Sequence, residues 1–234
     1  MLGLIAFCAL TLAGCAGNNP KDPFEGVNRA MYSVNKGLDK VVLKPVAKTY
    51  DAVVPVVVDS RVDNVISNLS DVKNLLNSLL QFKLKYAGIS LTRLVINSSM
   101  GLGGLFDPAS GMGLEQHKED FGQTLATWGV PSGPYVMLPL LGPSTVRDGL
   151  ARPFRVDAGY VDLIDHVPTR NTLYGLDAIN LRQDLFKIDP ILADTTDEYA
   201  YVRDAWLQNR NFNIYDGKPP ATQDDCDPED EGCE

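Results

Sequence analysis

An all-α fold is what this sequence predicts, and three features predict it. Apolar residues recur at spacings of three and four over much of the chain, which is the period of a helix face rather than of a strand. Proline and small polar residues stand where such faces begin and end. No run of alternating strands and no repeat of fixed period interrupts the pattern.

Residues 1–14 read as a lipoprotein signal peptide. An uncharged apolar run, Leu2 to Leu10, precedes Leu12-Ala13-Gly14-Cys15, and small residues before a Cys suit cleavage followed by acylation of Cys15. The run is too short to span a bilayer. No Lys or Arg precedes Cys15, a departure from the usual basic n-region that fits a start placed late. Ala16 rather than an acid follows the cysteine, the pattern that favours the outer membrane in enteric-type sorting. Residues 15–21 then read as a lipidated tether and residues 22–215 as one helical domain.

Asp22-Pro23-Phe24-Glu25 has the form of a helix start, with Asp22 as N-cap, Pro23 at the first helical position and Glu25 three residues after the cap. Phe24, Val27, Met31, Val34, Leu38 and Val41 then form one stripe, broken at Pro45, with a second piece running to about Val54. Such a stripe packs a core in most proteins, but beside a lipid anchor it also suits a bilayer surface. Two further helices are expected over 56–69 and 71–85, the second capped by Asp71 and presenting Val72, Leu75, Leu76, Leu79 and Leu80. Another continues over 86–96 until Asn97-Ser98-Ser99 and the glycines stop it. Later helices are expected over 156–164, 172–186 and 197–211, with Tyr199, Val202 and Trp206 on one face of the last.

Between these groups lies the unusual stretch 97–148. Nine of its residues are Gly and five are Pro, yet it is apolar. Breakers set among large apolar side chains do not make a solvated linker, so this segment is expected to be buried, in protein or in lipid. Backbone that leaves helical pairing inside hydrocarbon is tolerated only against protein or a water-filled cavity. A Gly/Pro-rich apolar hairpin region at the centre of the fold, walling a passage, satisfies both conditions.

DPFEGVNRAMYSVN at 22–35, INSSMGLGGLFDPA at 96–109 and DFGQTLATWGVPSGPYVMLPLLGPSTVRD at 120–148 resemble the MlaA (VacJ) family of outer-membrane lipoproteins. The resemblance runs from Asp22 to about Gly217, with three motifs in the expected order. It implies a ring- or disc-shaped helical protein in the inner leaflet of the outer membrane of a Gram-negative bacterium. It also implies an amphipathic channel that removes mislocalised phospholipid from the outer leaflet. The partners it implies are a trimeric porin and a soluble periplasmic carrier that accepts the lipid. From their places in the matching motifs and their apolar character, Leu105, Phe106, Phe121, Leu125, Trp128, Tyr135 and Leu138 are the candidate channel or gate residues. Ordinary core packing is the alternative for each.

Catalytic chemistry is hardly represented, so no enzyme, cofactor or metal is expected. Gly101-Leu102-Gly103-Gly104-Leu105-Phe106 has Phe where a dinucleotide fingerprint needs its third Gly, and neither a phosphate loop nor a Gly-x-Ser-x-Gly elbow occurs. The two histidines, His117 and His166, lack the i, i+4 partner of a helical zinc site and read as surface residues. A lipid hydrolase would require Ser144 to meet one of them. A structural lipoprotein that braces porins is the other alternative. Arg147 invites a headgroup contact, although an internal ion pair with Asp148 is the expectation.

Net charge is −9, but eight acids against one Lys fall from Asp216 onward, which leaves the body near neutral. Without a basic face, nucleic-acid binding is disfavoured. Residues 216–234 are expected to be an acidic disordered tail, in which Cys226 and Cys233 form a candidate disulfide.

Overall fold

The computed structural model describes residues 19–153 and 165–220. The signal, Cys15, the expected helix over 156–164, Cys226 and Cys233 lie outside the described residues. Within them the fold is all-α, apart from one two-stranded hairpin.

Helix α1 (Glu25–Leu38) passes through a single π turn (Asp39–Leu43) into α2 (Lys44–Val53). Pro45 therefore does not break the helix. Its missing N–H and the clash of its ring with the carbonyl four residues back are absorbed by the widened turn just before it. Val54, held extended by Pro55, turns the chain into α3 (Val56–Leu80).

Helix α3 is continuous where two helices were expected, and Asp71 is not a cap but lies fully buried in its middle. Asp22 is not a cap either. It lies on the turn before α1, fully buried, and accepts hydrogen bonds from Asn28 Nδ2 (2.8 Å) and Tyr199 Oη (2.5 Å). In both cases a short acid that propensity assigns to a helix end has been taken by a tertiary partner.

Helices α3 and α4 (Leu84–Ser99) are joined by the tight turn Gln81–Lys83 and make the most extensive helix pair of the molecule. Phe82 takes the left-handed position of that turn (φ 59°), and Lys83 N donates back to Ser78 O at 2.8 Å, the Schellman pattern. After α4 the glycines let the chain fold back onto α3: a Cβ on Gly104 would lie 2.7 Å from Asn68 Nδ2.

Two short helices follow, each capped by an acid. In α5 (Pro108–Gly111) Asp107 accepts from Ser110 N at 3.0 Å, and in α6 (Phe121–Thr127) Asp120 accepts from Gln123 N at 2.9 Å. Strands β1 (Tyr135–Leu138) and β2 (Gly142–Thr145) pair antiparallel, Tyr135 opposite Thr145 and Leu138 opposite Gly142. Thr145 then caps α7 (Val146–Ala151).

The remaining helices are α8 (Val167–Asp184), α9 (Asp189–Asp194) and α10 (Glu198–Ile214). Helix α9 was not foreseen, being a single short turn that begins Asp-Pro. Helix α8 packs on α2 and α3, while α10 packs on α6 and β2. Between α1, β1 and α10 sits a small aromatic core of Tyr135, Met137 and Tyr199, flanked by Met31, Tyr32, Trp206 and Leu207.

Candidate functional site

The buried faces of these helices are polar. On α3 and α4 the fully or almost fully buried residues include Asn68, Asp71, Asn74, Asn77, Ser78, Ser90, Arg93 and Asn97. The apolar stripes face outward: Val41 is 75% exposed, Val56 80% and Phe82 85%, with Val34, Val53, Leu84 and Leu91 also exposed. This inverts the arrangement of a water-soluble helical domain, in which the stripe covers the core. Among the described residues no helix is long and apolar enough to cross a membrane. The geometry is that of helices lying along apolar surroundings with their polar faces turned to each other.

Three buried polar knots fix the central stretch within that interior. In the first, Arg93 of α4 donates to Asp71 Oδ2 (3.0 Å), Ser110 Oγ (2.9 Å), Leu114 O (2.5 Å) and Asp107 Oδ2 (3.2 Å). Burial pushes the Asp71 carboxyl up, and hydrogen bonds from Gln116, Arg93 and Asn74 offset only part of that. Asn97 completes the knot, donating to Asp107 Oδ1 and accepting from Ala109 N.

The second knot centres on Arg210 of α10, which forks onto Asp120 (2.5 and 2.7 Å) and Asp148 (2.9 and 3.0 Å). Burial alone would raise the Asp120 carboxyl, but the hydrogen bonds and charge of Arg210 outweigh it and hold the group far below the usual carboxylate range. Gly122 makes this approach possible, since a Cβ there would lie 2.5 Å from Arg210 Nη2. In the third knot Asp22 gathers Asn28, Tyr199 and Arg203 Nη1 (3.3 Å), while Asn28 caps one edge of β1, donating to Tyr135 O and accepting from Met137 N.

The residues singled out from sequence are spread around this frame. Leu105 and Phe106 are exposed beside α3, with the Arg61 guanidinium 4.2 Å above the Phe106 ring. Phe121 and Leu125 lie half-buried on α6, and Phe121 meets Trp128 edge-on at 6.1 Å. Trp128 is exposed, its indole donating to Leu80 O at 3.0 Å. Tyr135 is buried in the aromatic core against Tyr199 and Trp206. Leu138 is half-buried on β1, next to a hairpin tip where Leu140 and Leu141 are exposed.

Arg147 is buried, with Nε on Asp148 Oδ1 (3.0 Å) and Nη1 on Val130 O (3.2 Å), whereas its Nη2 finds no partner among the described residues. Ser144 Oγ donates to Thr145 O, His117 bonds Asp216, and His166 bonds Thr169 at the start of α8, so Ser144 is hydrogen-bonded to neither histidine. His117 departs from the surface residue expected: it is half-buried and stacked on Tyr86 at 3.7 Å.

Sequence reasoning missed Arg93, Arg203 and Arg210. Arg203 and Arg210 follow Tyr199 at spacings of four and eleven, the signal that could have placed them on its face. Their partners lie up to 181 residues away and carry no local mark.

Outward apolar faces, a polar interior and a Gly/Pro-rich stretch held by buried arginines define a class of helical protein built to sit in a membrane surface. The chain belongs to the MlaA lipoprotein family, whose model matches residues 20–213. It is 32% identical over 223 residues to the intermembrane phospholipid transport system lipoprotein MlaA of Haemophilus influenzae, covering 90% of this chain and 88% of that protein. It is likewise 32% identical over 225 residues to the protein of the same description from Escherichia coli (strain K12), covering 90% and 87%. A solved structure concerned with the maintenance of bacterial outer membrane lipid asymmetry matches with a TM-score of 0.71 at 30% identity, over 82% of this chain and 98% of that one.

Proposed function

We propose that this protein is an outer-membrane lipoprotein that removes mislocalised phospholipid from the outer leaflet and passes it to a soluble periplasmic carrier, maintaining lipid asymmetry without catalysing a reaction. One observation carries the reading: the polar sides of α3 and α4 are sealed inward while valines and leucines face out. Such a body rests in one leaflet, and phospholipid requires an apolar wall for its chains beside a polar wall for its headgroup. Two of the relatives are described as phospholipid transport lipoproteins, which supports the same substrate.

In this reading Cys15 carries the acyl anchor at the periplasmic face, the helices form a ring around an amphipathic channel, and a trimeric porin holds it in place. Leu105, Phe106, Phe121, Leu125, Trp128 and Leu138 line or gate the passage, while Tyr135, buried in the aromatic core, takes the packing role that was its alternative. Arg147, with one buried Nη2 still unbonded, is the cation available to a headgroup phosphate.

The test is surface-exposed phospholipid in a deletion strain restored with native protein, Leu125→Asp, Leu138→Asp or Cys15→Ala. Native protein is expected to lower it to the parental level and the three variants to leave it high, with both Asp variants still lipidated. Full rescue by both Asp variants would remove the channel assignment, and no rise on deletion would remove the function.

A further inference from the structure

Where the loop before α6 passes the α3–α4 turn, His117, Glu119 and Asp216 bring one ring nitrogen and two carboxylates to a point. His117 Nε2 lies 3.2 Å from Glu119 Oε1 and 3.1 Å from Asp216 Oδ1, and the three atoms all lie within 4.8 Å of one another. A tetrahedral zinc ion with N and O bonds of about 2.0–2.1 Å sets its ligand atoms about 3.3 Å apart. Both histidine edges match that spacing to within a few tenths of an ångström.

The surroundings are built to hold the three groups. The His117 ring is fixed by its stack on Tyr86, and Gln81 Nε2 donates to Glu119 Oε2 at 2.8 Å, leaving Oε1 turned to the cluster. Glu119 N donates to Asn74 Oδ1 at 2.9 Å, which pins the backbone of this fully buried acid. Such outer contacts orient ligands in metal sites. A cation already stands there: Lys83 Nζ lies 2.9 Å from Glu119 Oε1 and 2.5 Å from Asp216 Oδ1. Lys83 supplies one ammonium against two carboxylates, and hydrogen bonds to Glu119 and Asp216 raise the His117 pKa, so a proton on the ring competes with a metal ion for the same position.

We propose that His117, Glu119 and Asp216 form a zinc site, with Lys83 as the internal cation that zinc displaces. One nitrogen and two carboxylates suit a borderline ion with three protein ligands and an open fourth position. Calcium asks for six or more oxygens and magnesium for an octahedral oxygen shell. The side chains of His117 and Asp216, 27% and 24% exposed, give access from solvent, while Glu119 closes the inner side. Bound zinc would clasp the loop leading into α6 to the point where the chain leaves α10.

The test uses full-length lipidated protein in detergent, stripped of metal with a chelator and titrated with Zn2+ alone, then with Co2+, whose visible spectrum reports tetrahedral coordination. The expected result is one ion per chain, with affinity reduced at least about tenfold in His117→Gln and Asp216→Asn. Lys83→Gln should bind more tightly, because the competing ammonium is gone, a gain that a damaged fold does not produce. Cys226→Ser/Cys233→Ser should bind as the native chain does. Absence of saturable binding, equal affinity in His117→Gln and Asp216→Asn, weaker binding in Lys83→Gln, or loss in the double Cys variant would each overturn the site.

Discussion

Arg93 reaches four acceptors, on α3, on α5 and its cap Asp107, and on the loop after α5, and no other side chain in the described interior serves so many segments. Removing one partner of a buried ion pair leaves the other charge without compensation, at a cost of roughly 3–5 kcal/mol. Arg93→Met is therefore expected to destabilise strongly. Asp71→Asn should cost less, since burial already disfavours the Asp71 charge and Arg93 keeps Asp107. Chemical denaturation in detergent ranks the two, and equal losses would contradict the argument.

Arg210 gives a pH signature. The Asp120 carboxyl is depressed in the folded chain, so its contribution is complete above the unfolded value near about 4 and is lost as pH falls below it. Arg210→Met should thus be less stable than the native chain at neutral pH, and the gap should narrow on acidification below about pH 4. Thermal melts between pH 3 and 7 decide this, and a constant gap would place the depression elsewhere.

Among the elements, the α3–α4 turn combines two features that are usually avoided. Phe82 holds a left-handed backbone, which costs a non-glycine residue roughly 1–2 kcal/mol, and its ring is exposed rather than packed. Phe82→Gly should raise the melting temperature in detergent, where the strain is relieved, and weaken retention on lipid vesicles, where the ring has a solvent. A variant that melts lower and binds vesicles as before would show that the ring packs within the protein.

Element boundaries also show what was legible. The stripes on α1 and α3 and the start of α10 at Asp197 follow from spacing and end chemistry alone, whereas α4 runs through the expected stop at Asn97 and ends only at Ser99, just before the glycines. Asp22 and Asp71 were misplaced because a short acid before an apolar run suits a cap as well as a buried partner. Burial of the polar face was not legible, since periodicity defines a face without saying what surrounds it. The knots were invisible for a related reason: each joins residues that only the folded chain brings together.

At the scale of the whole molecule, the outward stripes set the behaviour of the isolated protein. A charge placed on the outer face, as in Val57→Glu, should leave melting in detergent within about 0.5 kcal/mol of native, as for surface sites generally. The same change should reduce partition onto phospholipid vesicles, because a carboxylate is costly to bury in hydrocarbon. Unaltered partition would mean that α3 does not face lipid.

Helix α10 has a further consequence. Tyr199 and Arg203 close onto Asp22, 177 and 181 residues earlier, and Arg210 closes onto Asp120, 90 residues earlier. Contacts of such separation form late, since their closure entropy must be met before they stabilise anything. A chain emerging from an export machine amino end first therefore has no way to set its aromatic core until the last helix has cleared. Until then it is a substrate for chaperones and proteases, and truncation before Asp197 should yield a species degraded in the cell envelope however well its first helices form.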